Sequence, residues 1–437
     1  MQWLPRKHAM TFDFPSSNHL TVSEASEALG VSIDTIRRWE KKGLVKATRT
    51  ALGHRAFAHE DLLLLKAKHA GQSNTTFEVL HNPNPSPFKV VELFAGAGGL
   101  ALGLENAGLA CQMLVEIDSK AAQTLQSNRP AWNVVCDDIA NVDFTQIQAD
   151  VVAGGFPCQA FSYAGKRLGF EDVRGTLFYE YARAVKEINP KVILGENVRG
   201  LERHDGGRTL QTMLKILDEL GYHVSYRILR AQYLDVAQKR ERLVILGIRK
   251  DLHGNIAFPK EKNYTVSLRE ALKDVPPSDG QKYTPAKHAV MQQVPEGGYW
   301  RSLPLAVQQS YMGASFYLGG GKTGMARRLS WDEPSLTLTC NPAQKQTERC
   351  HPEANRPLTV REYARVQTFP DDWAFAGPVS SQYKQIGNAV PVNLAAAVGR
   401  RLVALLNHIE AHASAACLSP EKPATPTASP AQLSLFA

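Results

Sequence analysis

From residue 88 onward, short apolar runs alternate with stretches of helical periodicity, and this alternation constrains the fold more than any other feature. The runs are KVVELFAG, CQMLVEID, ADVVAGGF, PKVILGEN and RLVILGIR. Continuous apolar runs of about four to eight residues are typical of strands buried on both faces of a sheet. Because the intervening segments read as helices, we predict an α/β fold with a mostly parallel, Rossmann-like sheet.

Composition and charge narrow the class of protein. The chain has 437 residues, of which 43% are hydrophobic and 21% charged, which suits two or three ordinary globular domains. Its start, MQWLPRKHAM, lacks the apolar core of a secretory signal, and no run approaches the ~18 apolar residues of a membrane span. Lys and Arg outnumber Asp and Glu by 50 to 42, which favours a polyanionic partner. We predict a cytoplasmic protein without membrane contact.

Shifts in composition divide the chain into seven segments. Residues rich in Asn, Pro and Ser indicate a linker before the apolar alternation, and the regular alternation is interrupted once by a stretch rich in Gly, Pro, Thr and Lys. The predicted segments are a flexible arm (1–19), a helix-turn-helix domain (20–70), a linker (71–87), a catalytic domain (88–255), an inserted recognition domain (256–355), a return to the catalytic domain (356–408) and a disordered tail (409–437).

Residues 20–70 carry the pattern of two short helices joined by a tight turn. We predict a cap near Ser23 for the first helix and at Ser32 or Asp34 for the second, because these side chains accept hydrogen bonds from a first helical turn. A wing with the sequence Gly-His-Arg-x-Phe follows at 53–57.

These features resemble the DNA-binding domain of the mercury-resistance regulator (MerR) family, which implies an all-α winged helix-turn-helix. The resemblance places Arg37, Arg38 and Lys41 of the second helix and Arg55 of the wing on DNA. A solvated basic helix in a protein-binding module is the alternative.

The first apolar run ends in a glycine-rich turn, Phe94 to Ala101, that fits the pattern G-x-G-x-x-G/A. Such turns let the backbone approach an adenosine-containing cofactor closely, and Glu116 follows at the distance expected for a carboxylate that holds ribose hydroxyls. The turn alone fits NAD, FAD and S-adenosylmethionine, and a purely structural turn is also open.

A cysteine follows another strand, in the loop GGFPCQAFS. Cys158 lies just beyond an apolar run, where parallel sheets place reactive groups, so we interpret it as a candidate nucleophile. Glu196 ends the next strand, and Arg240 and Arg242 precede a further one. Since polar groups at strand ends converge on one crevice, we expect these side chains beside the thiol.

The order of FAGAGG, GGFPCQAFS, RGTLF, GENV, QKRERLVILGIR and YKQIGNAVP resembles the cytosine-5 DNA methyltransferase family over about residues 88–408. This resemblance implies S-adenosylmethionine as methyl donor and a flipped-out cytosine in duplex DNA as acceptor. It makes Cys158 the nucleophile, gives Glu196 the ring nitrogen and amine of the base, and gives Arg242, with Arg240, its carbonyl oxygen.

The same resemblance assigns the cofactor pocket. Phe94 would pack on the adenine, Glu116 would hold the ribose, and Ile117 stands where some relatives have an aromatic residue. The remaining cofactor residues implied are Gly96, Gly98, Gly99, Asp138, Ile139, Pro157, Leu177 and Asn388. Gln159 and Thr337 are further DNA-contact candidates, and Thr337 lies in the motif PSLTLT of the recognition domain. Cys340, Cys350 and His351 match no metal-ligand spacing, so no metal site is predicted.

The end of the chain, QLSLF, resembles the bacterial sliding-clamp binding pentapeptide and implies contacts through Gln432, Leu433, Leu435 and Phe436. We expect a site-specific cytosine-5 DNA methyltransferase of a restriction-modification system, with a monomeric catalytic unit and autogenous transcription control by the front domain. Three alternatives stay open: a transcription regulator, a tRNA cytosine methyltransferase, and a nicotinamide oxidoreductase that would fit only the glycine turn.

Overall fold

The computed structural model shows two compact units, Met1–Thr75 and Thr76–Ala437. The residues that it describes are 19–29, 33–41, 45–49, 53–58, 61–62, 77–81, 84–157 and 175–418. Cys158, Gln159 and the pentapeptide at 432–436 lie outside these residues, and so do the side chains of Arg38 and Lys41.

The N-terminal unit contains a small antiparallel sheet, so the all-α prediction was wrong. Its strands lie in the order β1-β3-β2, and Phe57 of the central strand is fully buried against Ile36 and Leu62. Strands of three or four residues are too short to show the period-two pattern that identifies a strand in sequence. The elements are β1 (His19–Thr21), α1 (Val22–Leu29), α2 (Ile33–Lys41), β2 (Ala47–Arg49) and β3 (Arg55–Ala58).

Helix α1 begins at Val22, so its cap lies two residues before Ser23, near which it was predicted. Thr21 is the capping residue: its backbone N–H and its hydroxyl donate to Glu24 Oε2 at 2.8 and 2.9 Å, and Glu24 N donates back to Thr21 Oγ1 at 3.4 Å. This reciprocal arrangement is a capping box, which satisfies two backbone donors at the start of a helix.

The second unit is built on a seven-stranded sheet with the strand order β6-β5-β4-β7-β8-β11-β9. The five strands from β6 to β8 are parallel, whereas β11 runs antiparallel to both neighbours, which confirms the mostly parallel sheet. Their bounds are β4 (Lys89–Leu93), β5 (Ala110–Val115), β6 (Val134–Val135), β7 (Val151–Gly154), β8 (Val192–Val198), β9 (Tyr222–Arg230), β10 (Gln238–Lys239, outside this sheet) and β11 (Glu241–Arg249).

The reversed direction of β11 positions the site. Arg242, near its start, pairs with Val198 at the end of β8. A strand that followed the common direction would carry its first residues to the opposite edge of the sheet. The reversal therefore brings the start of β11 to the edge at which the parallel strands end.

Helices cover both faces of the sheet. One apolar core lies between the sheet and helices α3 and α12, and a second lies between the sheet and helices α5 and α6. The helices are α3 (Gly99–Asn106), α4 (Ser119–Asn128), α5 (Leu177–Ile188), α6 (Arg208–Glu219), α7 (Leu268–Ala271), α8 (Pro285–Met291), α9 (Leu305–Met312), α10 (Val360–Val366), α11 (Val379–Asn388) and α12 (Val392–Leu418).

The inserted region 256–355 is largely irregular. Its helices α7, α8 and α9 are short, and its own core gathers Met291, Trp300, Met325 and Cys350. A two-residue strand, β12 (Ser335–Leu336), pairs in parallel with β10 just before β11. This pairing attaches the inserted region to the edge of the sheet at which Arg242 lies.

The last helix returns to the start of the catalytic unit. A Cβ at Gly103 of α3 would lie 2.3 Å from Ala395 Cβ of α12, so the two helices approach as closely as glycine permits. Residues 379–413 are apolar enough to span a membrane by length and composition, but 78% of their most apolar window is buried in the protein. The helices within residues 379–413, α11 and α12, therefore belong to the core.

Two segments differ from their predicted boundaries. Helix α12 continues to Leu418, through residues that were assigned to the tail. The end of the predicted linker is attached to the catalytic unit, because Leu80 N donates to Asn393 Oδ1 at 2.9 Å and Phe77 packs against Val266. A compositional signal for a loop does not exclude such specific contacts.

Candidate active site

A cleft of about 840 Å³ opens at the edge where the parallel strands end, a size typical of small-molecule sites. The structure brings most of the predicted site residues into its walls. These are Phe94, Gly96, Gly99, Glu116, Ile117, Asp138, Ile139, Pro157, Leu177, Glu196, Arg240, Arg242 and Asn388.

The glycines of the turn after β4 have different environments. A Cβ at Gly96, where φ is 55°, would meet nothing within 4 Å, so only open space faces this residue. A Cβ at Gly98 would lie 2.6 Å from Leu125 Cδ2, and one at Gly99 would lie 2.2 Å from the carbonyl oxygen of Val390. Gly96 is therefore required for access to the cleft, whereas Gly98 and Gly99 are required for close packing.

Glu116 holds the turn in place. Its Oε2 accepts a hydrogen bond from Gly96 N at 2.7 Å, and its Oε1 accepts one from Asp118 N at 2.7 Å. Each oxygen keeps a second lone pair that a hydroxyl donor could use. The neighbouring Ile117 is 68% exposed at the cleft, an unusual state for a large apolar side chain. This pair offers a polar and an apolar contact side by side.

Two capping hydrogen bonds fix another part of the cleft wall. Asp138 accepts a hydrogen bond from Ala140 N at 3.0 Å and so begins a short turn that contains the buried Ile139. Thr176 accepts one from Tyr179 N at 3.1 Å and caps α5, whose first residue is Leu177. These caps fix the positions of Asp138, Ile139 and Leu177 without any ligand.

Sequence reasoning missed Glu92, a carboxyl group within the otherwise apolar strand β4. Its side chain is buried, lines the cleft, and its Oε2 makes no hydrogen bond within the described residues. Burial, together with the negative charges of Glu116 and Glu196, raises the pKa of Glu92 well above its usual value. The available signal was the isolated charged residue within the run KVVEL.

Glu196 and Arg242 form an ion pair, with 2.6 Å between Glu196 Oε1 and Arg242 Nε, and both side chains are nearly buried. A Cβ at Gly155 would lie 3.1 Å from Glu196 Oε2, so the carboxylate stands directly over the chain that leads to position 158. Asn197 Nδ2 fixes that chain by donating to Phe156 O at 2.8 Å. The predicted partners of the thiol therefore meet beside Phe156 and Pro157.

Arg240 has a different environment from the predicted one. Its guanidinium is buried and donates to the carbonyl oxygens of Leu338, Gly387 and Ala389 at 3.2, 3.1 and 3.0 Å. Burial and the nearby charge of Arg242 lower the pKa of Arg240 to about 9. These contacts tie the inserted region to the end of α11, which supports a positioning role, and the contact of Arg240 with the base stays a prediction.

Asn388 lies at the end of α11, on the cleft wall. Its Oδ1 accepts a hydrogen bond from the thiol of Cys340, with 3.0 Å between the two atoms. Thr337, a predicted DNA contact, uses its hydroxyl within the protein by donating to Lys239 O at 2.8 Å. Cys340 therefore contacts the cleft wall through Asn388.

Two of the four predicted DNA contacts of the N-terminal unit have described side chains. Arg37 and Arg55 are exposed and, with His54, line a small basic pocket. Arg55 also lies 3.5 Å from Glu40 across the unit. Among the described residues, no group of three His, Cys, Asp or Glu side chains is arranged to hold a metal ion.

Two family models match the chain. Residues 88–404 match the C-5 cytosine-specific DNA methylase family, and residues 21–57 match the MerR family of regulatory proteins. Both resemblances inferred from the motifs are thereby confirmed.

The chain is also similar to curated proteins of known class. It is 56% identical to the Type II methyltransferase M.Eco47II of Escherichia coli, over 89% of this chain and 96% of that protein. It is 55% identical to the Type II methyltransferase M.Sau96I of Staphylococcus aureus, over 73% of this chain and 76% of that protein.

Solved structures share the fold. A Spodoptera frugiperda DNMT2 variant superimposes with a TM-score of 0.53 at 18% identity, covering 73% of this chain and 99% of its own. The Dnmt2 methyltransferase of S. pombe gives 0.51 at 17% identity, covering 74% of this chain and 98% of its own.

Proposed function

Because the chain belongs to the C-5 cytosine-specific DNA methylase family, we propose that it is the modification enzyme of a bacterial Type II restriction-modification system. It methylates carbon 5 of cytosine at one short DNA sequence. The observation that carries this proposal is the ion pair of Glu196 and Arg242 over the chain that leads to Cys158. The similarity to Type II methyltransferases from several bacteria supports the restriction-modification context.

The cleft fits S-adenosylmethionine, whose sulfonium carries a positive charge. Six carboxyl groups border the cleft, those of Glu92, Glu116, Asp118, Asp137, Asp138 and Glu196. Glu92 Oε2 lacks a hydrogen-bond partner among the described residues. Exposed Ile117 offers an apolar surface to a flat ring, and Glu116 retains lone pairs for ribose hydroxyls. When bound, S-adenosylmethionine supplies the methyl group in an electrophilic form.

Cys158 begins the reaction by adding to carbon 6 of the cytosine. A bond forms between sulfur and carbon 6, and the electron pair of the ring double bond makes carbon 5 nucleophilic. Glu196 contacts ring nitrogen 3 and the exocyclic amine, where negative charge develops. Arg242 holds Glu196 in place and faces the carbonyl oxygen of the base. After methyl transfer, carbon 5 loses its proton and the sulfur bond breaks, which frees Cys158.

Bisulfite sequencing of DNA from cells that express the protein tests this function. Cytosines protected at one short motif by the wild type, and by neither Cys158→Ala nor Glu196→Gln, are the expected result. Equal patterns in all three cultures, with the wild type soluble and folded, would contradict it. The recognised motif would come from the same data.

The N-terminal unit adds autogenous transcription control to this proposal. Its match to the MerR family and the basic pocket lined by Arg37, His54 and Arg55 support binding to the promoter of its own gene. A reporter under that promoter should be repressed by the wild type, and repression should be lost in Arg37→Ala/Arg55→Ala. Unaltered repression by this variant would contradict the assignment.

The remaining parts of the proposal concern location and partners. The catalytic unit acts as a monomer in the cytoplasm, and Gln432, Leu433, Leu435 and Phe436 bind the sliding clamp. Surface plasmon resonance with purified clamp should show binding that Leu435→Ala/Phe436→Ala abolishes, while DNA methylation persists. Equal clamp affinities of the two proteins would rule out this contact.

A further inference from the structure

The turn that follows α9 presents two large apolar side chains to solvent. Tyr317 is 80% exposed and Leu318 is 65% exposed, the first being the most exposed large apolar side chain in the described part of the chain. They are adjacent, so they form one patch. A single exposed Leu needs no explanation, but two neighbouring large side chains in an inserted region indicate a contact surface.

Ring packing and hydrogen bonds hold this turn in place. Phe316 packs edge-on against Trp300 of the inserted core, with 6.0 Å between ring centroids, and against Tyr317 at 5.2 Å. Lys322 Nζ donates to the carbonyl oxygens of Ser315 and Leu318, the latter at 2.7 Å. Because the backbone beneath Tyr317 and Leu318 is fixed, the two side chains are held outward.

The charge around the turn matches a polyanion. Residues 297–331 contain no Asp or Glu. Of their basic side chains Arg301 is exposed and Lys322 and Arg327 are partly exposed, whereas Arg328 is buried. A second copy of this segment would repel it, whereas the phosphates of a duplex would attract it. Since the family acts on DNA, the occupant favoured by this charge is the DNA substrate.

The glycines beside the patch leave room for a close approach. A Cβ at Gly319 or Gly320 would meet nothing within 4 Å, and the φ of 95° at Gly320 disfavours any larger residue. The bare backbone next to Leu318 therefore allows a sugar-phosphate chain to come near it.

The turn is attached to the edge of the cleft. Lys345 Nζ donates to Tyr311 O in α9 at 2.6 Å. Lys345 follows the segment in which Cys340 donates to Asn388 of the cleft wall. Hydrogen bonds therefore connect α9, which precedes the turn, to the segment that contacts the cleft wall at Asn388.

We propose that Tyr317 and Leu318 form an apolar wedge that enters the target duplex and holds it distorted, which favours the departure of the cytosine from the stack. Apolar and aromatic side chains inserted between base steps unstack them and kink the duplex, and aromatic rings compensate by stacking on the bases. This inference names the residues that contact DNA and rests on methylation of duplex DNA.

The double variant Tyr317→Ala/Leu318→Ala tests the wedge. Its matched control is Leu305→Ala, which removes a 63% exposed Leu from neighbouring α9. DNA affinity is measured on a cognate duplex and on the same duplex with a mismatch at the target cytosine. Fluorescence of 2-aminopurine at the target position reports unstacking, and S-adenosylmethionine affinity reports folding.

We expect the double variant to bind the paired duplex about 10-fold more weakly or worse and to lose the fluorescence increase. The mismatch should restore most of the affinity, since the base then leaves the stack without help. Leu305→Ala should behave as the wild type.

Equal losses on both duplexes, or no loss on either, would overturn the wedge. A wild-type dimer in sedimentation that the double variant dissolves would do so as well. Failure of the proposed function is distinguishable, because the wild type would then methylate neither duplex.

Discussion

Two ionisable side chains beside the cleft, Glu92 and Arg240, are buried and form no ion pair within the described residues. Arg240 donates to three carbonyl oxygens, whereas one oxygen of Glu92 has no hydrogen-bond partner in the same part of the chain. Burial raises the pKa of Glu92, and Arg240 serves as a link between segments. Both differences can be measured.

Glu92 should make stability depend on pH. In the folded chain its pKa lies well above 4.5, the value of an unperturbed Glu, so the folded state binds more protons than the unfolded state between the two values. This carboxyl group therefore contributes to folding stability below about pH 4.5, and the contribution is lost as the pH rises through the pKa of the folded state. Glu92→Gln should remove this loss, which is ~1.4 kcal/mol for each unit of pKa elevation.

Urea unfolding at acidic and mildly alkaline pH checks this expectation. Glu219→Gln, at an exposed helix end, is the control and should follow the wild type. An identical loss of stability with pH in Glu92→Gln and the wild type would show that Glu92 is not the responsible group.

Arg240→Met should mainly lose folding stability, whereas Arg242→Met should mainly lose catalytic rate. The first removes the donor to three buried carbonyl oxygens, of which, within the described residues, only that of Ala389 keeps another donor, Gln367 Nε2. We therefore expect the free energy of unfolding to fall by about 2 kcal/mol or more. The second mainly removes the partner of Glu196 and should lower kcat by about 100-fold while S-adenosylmethionine affinity persists. Urea unfolding and single-turnover methylation separate the two. Normal stability of Arg240→Met with lost kcat would instead make Arg240 a base contact.

At the scale of elements, sequence motifs at strand ends predicted the cleft because the carboxyl ends of parallel strands share an edge. Glu116 and Glu196 were found in this way. The motif QKRERL could not separate Arg240 from Arg242, because the short strand β10 and its pairing with β12 decide which guanidinium is buried. In the N-terminal unit the wing expected after the second helix is the antiparallel pair of β2 and β3, whereas β1, which has only three residues, was not expected.

The packing of α3 against the segment that leads into α12 allows two glycine variants to be compared. Gly99→Ala places a Cβ against the carbonyl oxygen of Val390, so overpacking should cost about 1–3 kcal/mol. The Cβ of Gly96→Ala meets no atom within 4 Å, so this variant should lose only about 1 kcal/mol to the strain of its positive φ, but it should weaken S-adenosylmethionine binding. Urea unfolding and calorimetric titration measure the two effects. A more stable Gly99→Ala protein would contradict this packing.

At the scale of the whole molecule, the excess of basic side chains should appear as salt-dependent DNA binding. Each phosphate contact adds about 0.9 to the slope of log affinity against log salt concentration. Arg301→Gln, in the cationic segment 297–331, should reduce that slope by about 1. Lys250→Gln is the control, since Lys250 follows β11 at the opposite edge of the sheet from the cleft. Equal slopes for the wild type and Arg301→Gln would contradict the contact.

The cleft wall is assembled from both ends of the catalytic unit, because Gly99 meets Val390 and Gly96 shares the cleft with Asn388. A ribosome delivers the glycine turn long before it delivers α11 and α12. A growing chain, or one ended by a premature stop codon within the inserted region, therefore lacks this part of the wall. Synthesis must be nearly finished before the wall is complete, so translation itself separates production of the polypeptide from the onset of DNA modification.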